Sequence, residues 1–255
     1  MESTNTVFTQ PQFISAKNDN EVSFHKHEFN EQGFTLIKGK DVINYLGNSW
    51  SQDFIEKYWN NLELDKFMTD GGTYRQRRFG RYKFDLMKQE LMLIEGENDF
   101  YQSKQLNHLN GGIIREFAPV DSEFAKSETL NLIVKYCLSI LPINISEYKS
   151  LSINTHLFRV ICTGSGLSLP TPEGIHRDGH SFVSQHLISK NNIHGGISGI
   201  YDNNNSPILH RQLYNSMDTI IIDDTKVKHD VSPVLSMNNY NEGYRDMLII
   251  DYNFE

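Results

Sequence analysis

Apolar positions change their spacing partway along the chain, and that change predicts the architecture. From Ser51 to Leu64, Phe54, Ile55, Tyr58, Trp59 and Leu62 recur at three- and four-residue intervals, the period of one helix face. Glu123 to Leu141 repeats the pattern through Phe124, Leu130, Ile133, Val134, Cys137 and Leu141, and Pro142 ends it. Phe29 to Lys38 reads instead as a turn at Glu31-Gln32-Gly33 followed by a short strand, Phe34–Ile37. Residues 1–22 are polar and aperiodic, which predicts a flexible N-terminal arm ahead of a single domain spanning 23–255.

Beyond Pro142 the helical period disappears. Leu151–Val160, Phe182–Ser189, Gly196–Tyr201, Thr219–Asp223, Val227–Val231 and Asp246–Phe254 are short β-prone runs, separated by turn-forming clusters such as Asp202-Asn203-Asn204-Asn205-Ser206-Pro207. Strands that follow one another without intervening helices imply an antiparallel sandwich or barrel. The expected fold is α+β with a mainly β core: a double-stranded β-helix (jelly roll) buttressed by N-terminal helices.

Composition narrows the function. The chain has 255 residues, enough to bury a substantial core. A formal charge of −8 argues against a nucleic-acid partner, whose recognition depends on neutralising phosphates. No apolar run approaches a membrane span, and Met1–Thr6 lack the basic and apolar regions of a signal peptide, so a cytoplasmic protein is expected. Cys137 and Cys162 are too few for a disulfide framework and are expected in the core. A homodimer is compatible with this composition but not dictated by it.

The chemistry concentrates in His176-Arg177-Asp178, followed by His229 and then Arg245. Two imidazoles and a carboxylate are the facial triad that holds non-heme Fe(II) with positions left open. On a strand, positions 176 and 178 would point the same way, about 6–7 Å apart. His-x-Asp alone is a weak signal. Its context strengthens it: Gly174 and Gly179 bracket the motif, and His229 sits in another strand-like run. Arg245 has Met247 and Ile249 as period-two neighbours, so it points into an apolar interior where a cation needs an anion. A guanidinium grips a carboxylate through two parallel hydrogen bonds; the plainer alternative pairs Arg245 with an acid such as Asp246. His186 shares the parity of His176 and Asp178 if the strand runs unbroken, which makes it either a cosubstrate contact or a core histidine. His180 becomes a candidate ligand only if the chain bends at Gly179. Tyr74–Tyr82 is the chain's dense basic cluster. Alternation puts Arg75, Arg77, Phe79 and Arg81 on one strand face, either as a clamp for a substrate carboxylate or as a solvated basic strand. Arg159 is a further candidate for that clamp. Asp218, Asp223 and Asp224 read as turn residues. His-Arg-Asp also occurs in the protein-kinase catalytic loop, but Val183 stands where that loop needs Asn.

Pro172-Glu173-Gly174-Ile175-His176-Arg177-Asp178-Gly179, Gly195-Gly196, His229 and Tyr244-Arg245-Asp246 together resemble the bacterial Fe(II)/2-oxoglutarate-dependent dioxygenases that hydroxylate free amino acids, the L-isoleucine 4-hydroxylase group among them. Phe29–Phe34, Tyr101–Lys104 and Gly111–Phe117 extend the resemblance over roughly residues 28–254. It implies His176, Asp178 and His229 as iron ligands and Arg245 as partner of the distal carboxylate of 2-oxoglutarate. It further implies O₂ as oxidant, an amino-acid substrate clamped by arginines of the basic strand, and release of succinate and CO₂. The loops Gly164–Pro172 and Asp202–Pro207 match less closely, which leaves the substrate open. A catalytically silent jelly-roll binding protein and a peptide oxygenase are the competing readings.

Overall fold

Local signals set the helix ends. In the computed structural model, which describes residues 19–143, 147–238 and 241–254, the first predicted helix runs Gln52–Trp59. Ser51 caps it, its Oγ accepting from the Phe54 amide at 3.3 Å. The expected extension to Leu64 fails: Glu63–Leu64 instead pair as a short edge strand. The second predicted helix is broken in two, Ser122–Ala125 and Glu128–Ile140. Ser127 accepts from the Leu130 amide at 3.2 Å and restarts it, a cap hidden inside a continuous apolar stripe. A further helix, Asp19–Gln32, precedes the turn at Gly33. It buries Val22 and Phe29 but is otherwise too polar for periodicity to reveal. The last residues of the expected arm are therefore helical, and residues 1–18 lie outside the described ones.

Two antiparallel layers carry the rest. The major sheet runs in the order Phe34–Ile37, Thr219–Asp223, Phe182–Asn191, Gly243–Phe254, Ser150–Cys162, Arg75–Asp85, Glu63–Leu64, with Glu90–Leu93 also paired to Arg75–Asp85. Opposite it lie the strands Pro207–Gln212, Ile197–Tyr201 and Lys228–Val231, and the pair Ile193–Gly195 with Val234–Ser236. This is the anticipated jelly roll, not a closed barrel. Besides the expected basic strand, here Arg75–Asp85, the half before Pro142 supplies a small hairpin that was not expected, Asp99–Tyr101 with Ile114–Glu116.

Alternation gives the major sheet two different faces. Along Gly243–Phe254, Leu248, Ile250 and Tyr252 join Ile153 and Leu157 in the large core under the helices, with Trp59, Phe124 and Cys137. The opposite positions, 245, 247, 249 and 251, face the space between the layers, where Met247 packs with Val183, Leu187, Ile200 and Ile222. Trp59 fixes the helical layer to the sheet, its indole N–H donating to the Phe158 carbonyl at 3.0 Å. No helix among the described residues is long and apolar enough to cross a membrane.

Candidate active site

Residues 171–181 form the loop entering strand Phe182–Asn191, so the His-x-Asp motif does not lie on a strand as predicted. Another device aligns it. His176 and His229 form a backbone bridge, each amide donating to the other's carbonyl at 3.0 Å. Because His229 belongs to strand Lys228–Val231, the bridge sets the two imidazoles side by side, with ring centroids 4.4 Å apart. Asp178 turns its carboxylate between them, Oδ1 3.5 Å from His176 Nε2 and Oδ2 3.3 Å from His229 Nε2. Donor atoms of the three residues all fall within 4.8 Å of one another.

The surroundings fix these donors. His176 Nδ1 lies 2.8 Å from the Gly174 carbonyl, so Nδ1–H donates there and Nε2 is the nitrogen directed at Asp178. Burial opposes charge on His176, but Asp178, Glu173 and the Gly174 carbonyl outweigh it and raise the imidazole to about 9. Asp178 is held well below the carboxylate range despite its burial, because His229 and His176 flank it. The Asp224 carboxylate accepts from the amides of Asp178, Gly179 and His180 at 3.1, 2.7 and 3.1 Å, so this turn residue anchors the ligand loop. Gly179 has φ of 87°, a conformation that favours glycine, and a Cβ there would push on the end of the Leu106 side chain, 2.4 Å away at Cδ1. The bend at Gly179 exists, yet it turns His180 away from the triad: its Nε2 lies 3.2 Å from Asp251 Oδ2.

Two chambers meet at Asp178 and Glu173. One, of about 620 Å³, contains the triad and Arg245, with Val160, Met247 and Gln185 on its walls. Arg245 is 4 % exposed, and its Nη2 has no hydrogen-bond partner among the described residues. Burial alone lowers its guanidinium to about 10. The alternative pairing with Asp246 does not occur. Asp246 points to the opposite face, where Arg159 grips it at 2.7 and 2.8 Å and Ser189 donates at 2.9 Å. Gly196 leaves room for Arg245, since a Cβ there would approach its Cδ to 3.1 Å.

Two predicted site residues are thereby displaced. Arg159, committed to Asp246 and stacked over Tyr244, is outside both chambers. His186 is also on the helix side, because the break at Gly179 destroys the parity assumed for it. It contacts Thr219 Oγ1 at 2.7 Å, Ser184 Oγ at 2.9 Å and, more loosely, Cys137. Burial holds it neutral, its pKa lowered to about 3. Gln185 takes the cavity-facing position instead.

The second chamber, about 450 Å³, is lined by Arg75, Arg77 and Arg115. Arg75 pairs with buried Asp65 at 2.7–2.8 Å. Arg77 lies over Phe117, its guanidinium carbon 3.6 Å from the ring centroid, and bonds to His156 Nδ1. That bond makes His156 Nε2 the donor to Asp251 Oδ2, 2.8 Å away. Flanked by His180 and His156, Asp251 is lowered to about 2 although it is buried. Arg81 shares the strand face of Arg75 and Arg77 but lies beyond the chamber, bound to the Asp99 carbonyl at 2.7 Å and near Glu97. Sequence reading missed Arg115, Glu173, His156 and Asp251 as lining residues. Asp251 was accessible by continuing the parity of Arg245 past Ile249. Arg115 comes from the hairpin Asp99–Glu116, whose approach to the cavity has no sequence signal.

A jelly roll that brings two imidazoles and a carboxylate together beside a buried, unpartnered guanidinium defines an iron- and 2-oxoglutarate-dependent oxygenase. A family model described as 2OG-Fe dioxygenase matches residues 56–251, and the chain belongs to that family. Fe(II) is thus its metal, with 2-oxoglutarate and O₂ as cosubstrates. The donor set fits: two imidazole nitrogens and one carboxylate oxygen converge in the wall of the larger chamber and would hold the ion there. Among characterised proteins, L-isoleucine-4-hydroxylase of Bacillus thuringiensis is 26 % identical over 232 residues, covering 90 % of this chain and 94 % of the relative. Among solved structures, a bsmA homolog from Methylobium petroleophilum superposes with a TM-score of 0.81 at 26 % identity, over 91 % of this chain and 93 % of the other. The structure titled IDO from Bacillus thuringiensis gives a TM-score of 0.76 at 23 % identity, over 92 % and 99 %.

Proposed function

We propose that this dioxygenase hydroxylates an unactivated C–H bond of a free L-amino acid or small amino-acid derivative. In this reading His176, Asp178 and His229 hold the iron, Arg245 binds the distal carboxylate of 2-oxoglutarate, and the three-arginine chamber receives the substrate. Bound Fe(II) supplies the oxidation, coupling substrate hydroxylation to conversion of 2-oxoglutarate and O₂ into succinate and CO₂.

The observation that carries the proposal is the arrangement of cationic side chains on either side of Asp178. Arg245 offers unpartnered N–H groups at the depth of one chamber, in walls otherwise largely apolar, suited to a small dicarboxylate. In the other chamber Arg77 and Arg115 each keep a buried Nε without a partner, while Phe100, Phe158 and Ile249 supply apolar surface. Cationic side chains beside aromatic and aliphatic surface suit the charged backbone ends and the apolar side chain of a single amino acid. The curated relative named for hydroxylation of L-isoleucine supports the same substrate class.

The test is succinate release from 2-oxoglutarate by the iron-loaded protein across the common L-amino acids and their N-acyl derivatives. One of them should accelerate release and gain the mass of one oxygen atom. Acceleration by peptides only, with every free amino acid and N-acyl derivative inert, would defeat the substrate assignment.

A further inference from the structure

Glu173 stands where the two chambers meet and lines both. Its side chain is 9 % exposed, and Oε2 is buried with no hydrogen-bond partner among the described residues. The other oxygen has two neighbours, Asn107 Nδ2 at 3.4 Å and His176 Nε2 at 3.7 Å. The second is the nitrogen assigned to the metal, which leaves a buried carboxylate with one long contact to a neutral amide. A buried carboxylate in that condition is short of hydrogen-bond donors, which an ammonium group supplies.

A chain of polar side chains connects Glu173 to an equally under-satisfied cation. Asn107 Nδ2 also lies 3.5 Å from Gln102 Oε1, and Arg115 Nη2 donates to that oxygen at 2.7 Å. Arg115 is 2 % exposed and its Nε has no partner among the described residues. One chamber thus presents a carboxylate and a guanidinium of complementary deficit, held at a fixed separation by Gln102 and Asn107. A zwitterion satisfies both. We infer that Glu173 receives the α-ammonium group of the substrate while Arg115, with Arg77 behind it, receives the α-carboxylate. This rests on the amino-acid reading above and sharpens it: the substrate is an amino acid with a free, charged amine, not an N-acyl derivative. It also sets the orientation, with the amine at the chamber junction nearest the iron ligands and the carboxylate farther away.

The test compares L-isoleucine and the other common L-amino acids with their N-acyl derivatives and with their 2-hydroxy analogues, in which a hydroxyl replaces the ammonium. Binding is measured calorimetrically to the Mn(II)- and 2-oxoglutarate-loaded protein without oxygen, for wild type and Glu173→Gln. Wild type should bind at least one amino acid about 10- to 100-fold more tightly than its analogue, the scale of a charge-assisted hydrogen bond. In the variant that ratio should fall towards one, with analogue affinity and Mn(II) affinity unchanged. A variant that keeps the preference overturns the inference. So does one that loses Mn(II) affinity and both ligands together, which would make Glu173 a metal-site residue. Preference of the wild type for N-acyl amino acids would overturn the role of Glu173 while sparing the hydroxylase reading. Failure to bind any member of the three series would remove the amino-acid reading itself.

Discussion

Arg245 and Asp246 are chain neighbours on one strand, and alternation sends them to opposite faces of the major sheet. On the helix face, Asp246 is saturated: a bidentate guanidinium from Arg159 and a hydroxyl from Ser189. On the cavity face, Arg245 is equally buried and left with unpartnered N–H. Burial is the same, so it does not separate structure from function. What separates them is whether the protein itself completes the hydrogen bonding. The helix face closes its own charges, whereas the cavity face leaves Arg245, Arg115 and Glu173 for something else to complete.

That contrast can be broken by substitution, and the largest expected effect lies at the junction of the chambers. Asp178→Ala should reduce substrate-dependent succinate release by about 10³-fold or more, because loss of a ligand removes several kcal/mol of metal-centred stabilisation. It should also abolish the visible band formed anaerobically with Fe(II) and 2-oxoglutarate, while circular dichroism shows the fold retained. Next comes stability. Asp246→Asn should cost about 3–5 kcal/mol in denaturant unfolding by stranding Arg159, whereas Arg245→Met should leave the fold unchanged or slightly firmer, since no ion pair is broken. Equal losses from the two variants would erase the distinction between the faces. Arg245→Met should instead raise the KM for 2-oxoglutarate by about 10- to 100-fold.

Smaller effects sharpen the same comparison. His186 is buried neutral, its pKa lowered to about 3 from the usual 6.5. Below about pH 6.5 the unfolded chain takes up a proton that the folded chain refuses, so stability is full above that pH and falls as pH drops towards 3. The slope is about 1.4 kcal/mol per pH unit for one proton. His186→Gln should remove that slope from the pH dependence of unfolding and leave the KM for 2-oxoglutarate unaltered. The smallest effect belongs to Arg81, whose partners are a carbonyl and a half-exposed carboxylate. Arg81→Ala should change substrate KM less than about 3-fold, on the scale of an exposed ion pair.

Sequence carried more of the ends of the site than of its middle. The convergence of His176, Asp178 and His229 was legible because an N,N,O donor set demands particular residue types, and strand parity aimed Arg245 into the same cavity. The means of assembly was not. His176 and Asp178 were expected on a strand, and their convergence depends on a backbone bridge to His229 and on the Asp224 anchor, both long-range in sequence. Of the two readings of His186 the core histidine is the one the structure matches, because parity is a property of unbroken strands and one positive-φ glycine resets it. Periodicity located the helices yet passed over the Ser127 cap, because the apolar stripe runs through the break. Arg75 and Arg77 were found as a strand face. Arg81 failed only because a strand face is longer than the chamber it borders, a limit set by the surrounding hairpin.

Gln102 sits within that hairpin and touches both halves of the cavity. Its carbonyl oxygen holds Arg115, and its amide donates to the backbone carbonyl of Asp178 at 3.0 Å. Leu106, four residues on, rests against Gly179, the hinge of the ligand loop. The hairpin and the 171–181 loop are therefore tied together, so the side chain that holds the Arg115 guanidinium also holds the backbone of Asp178.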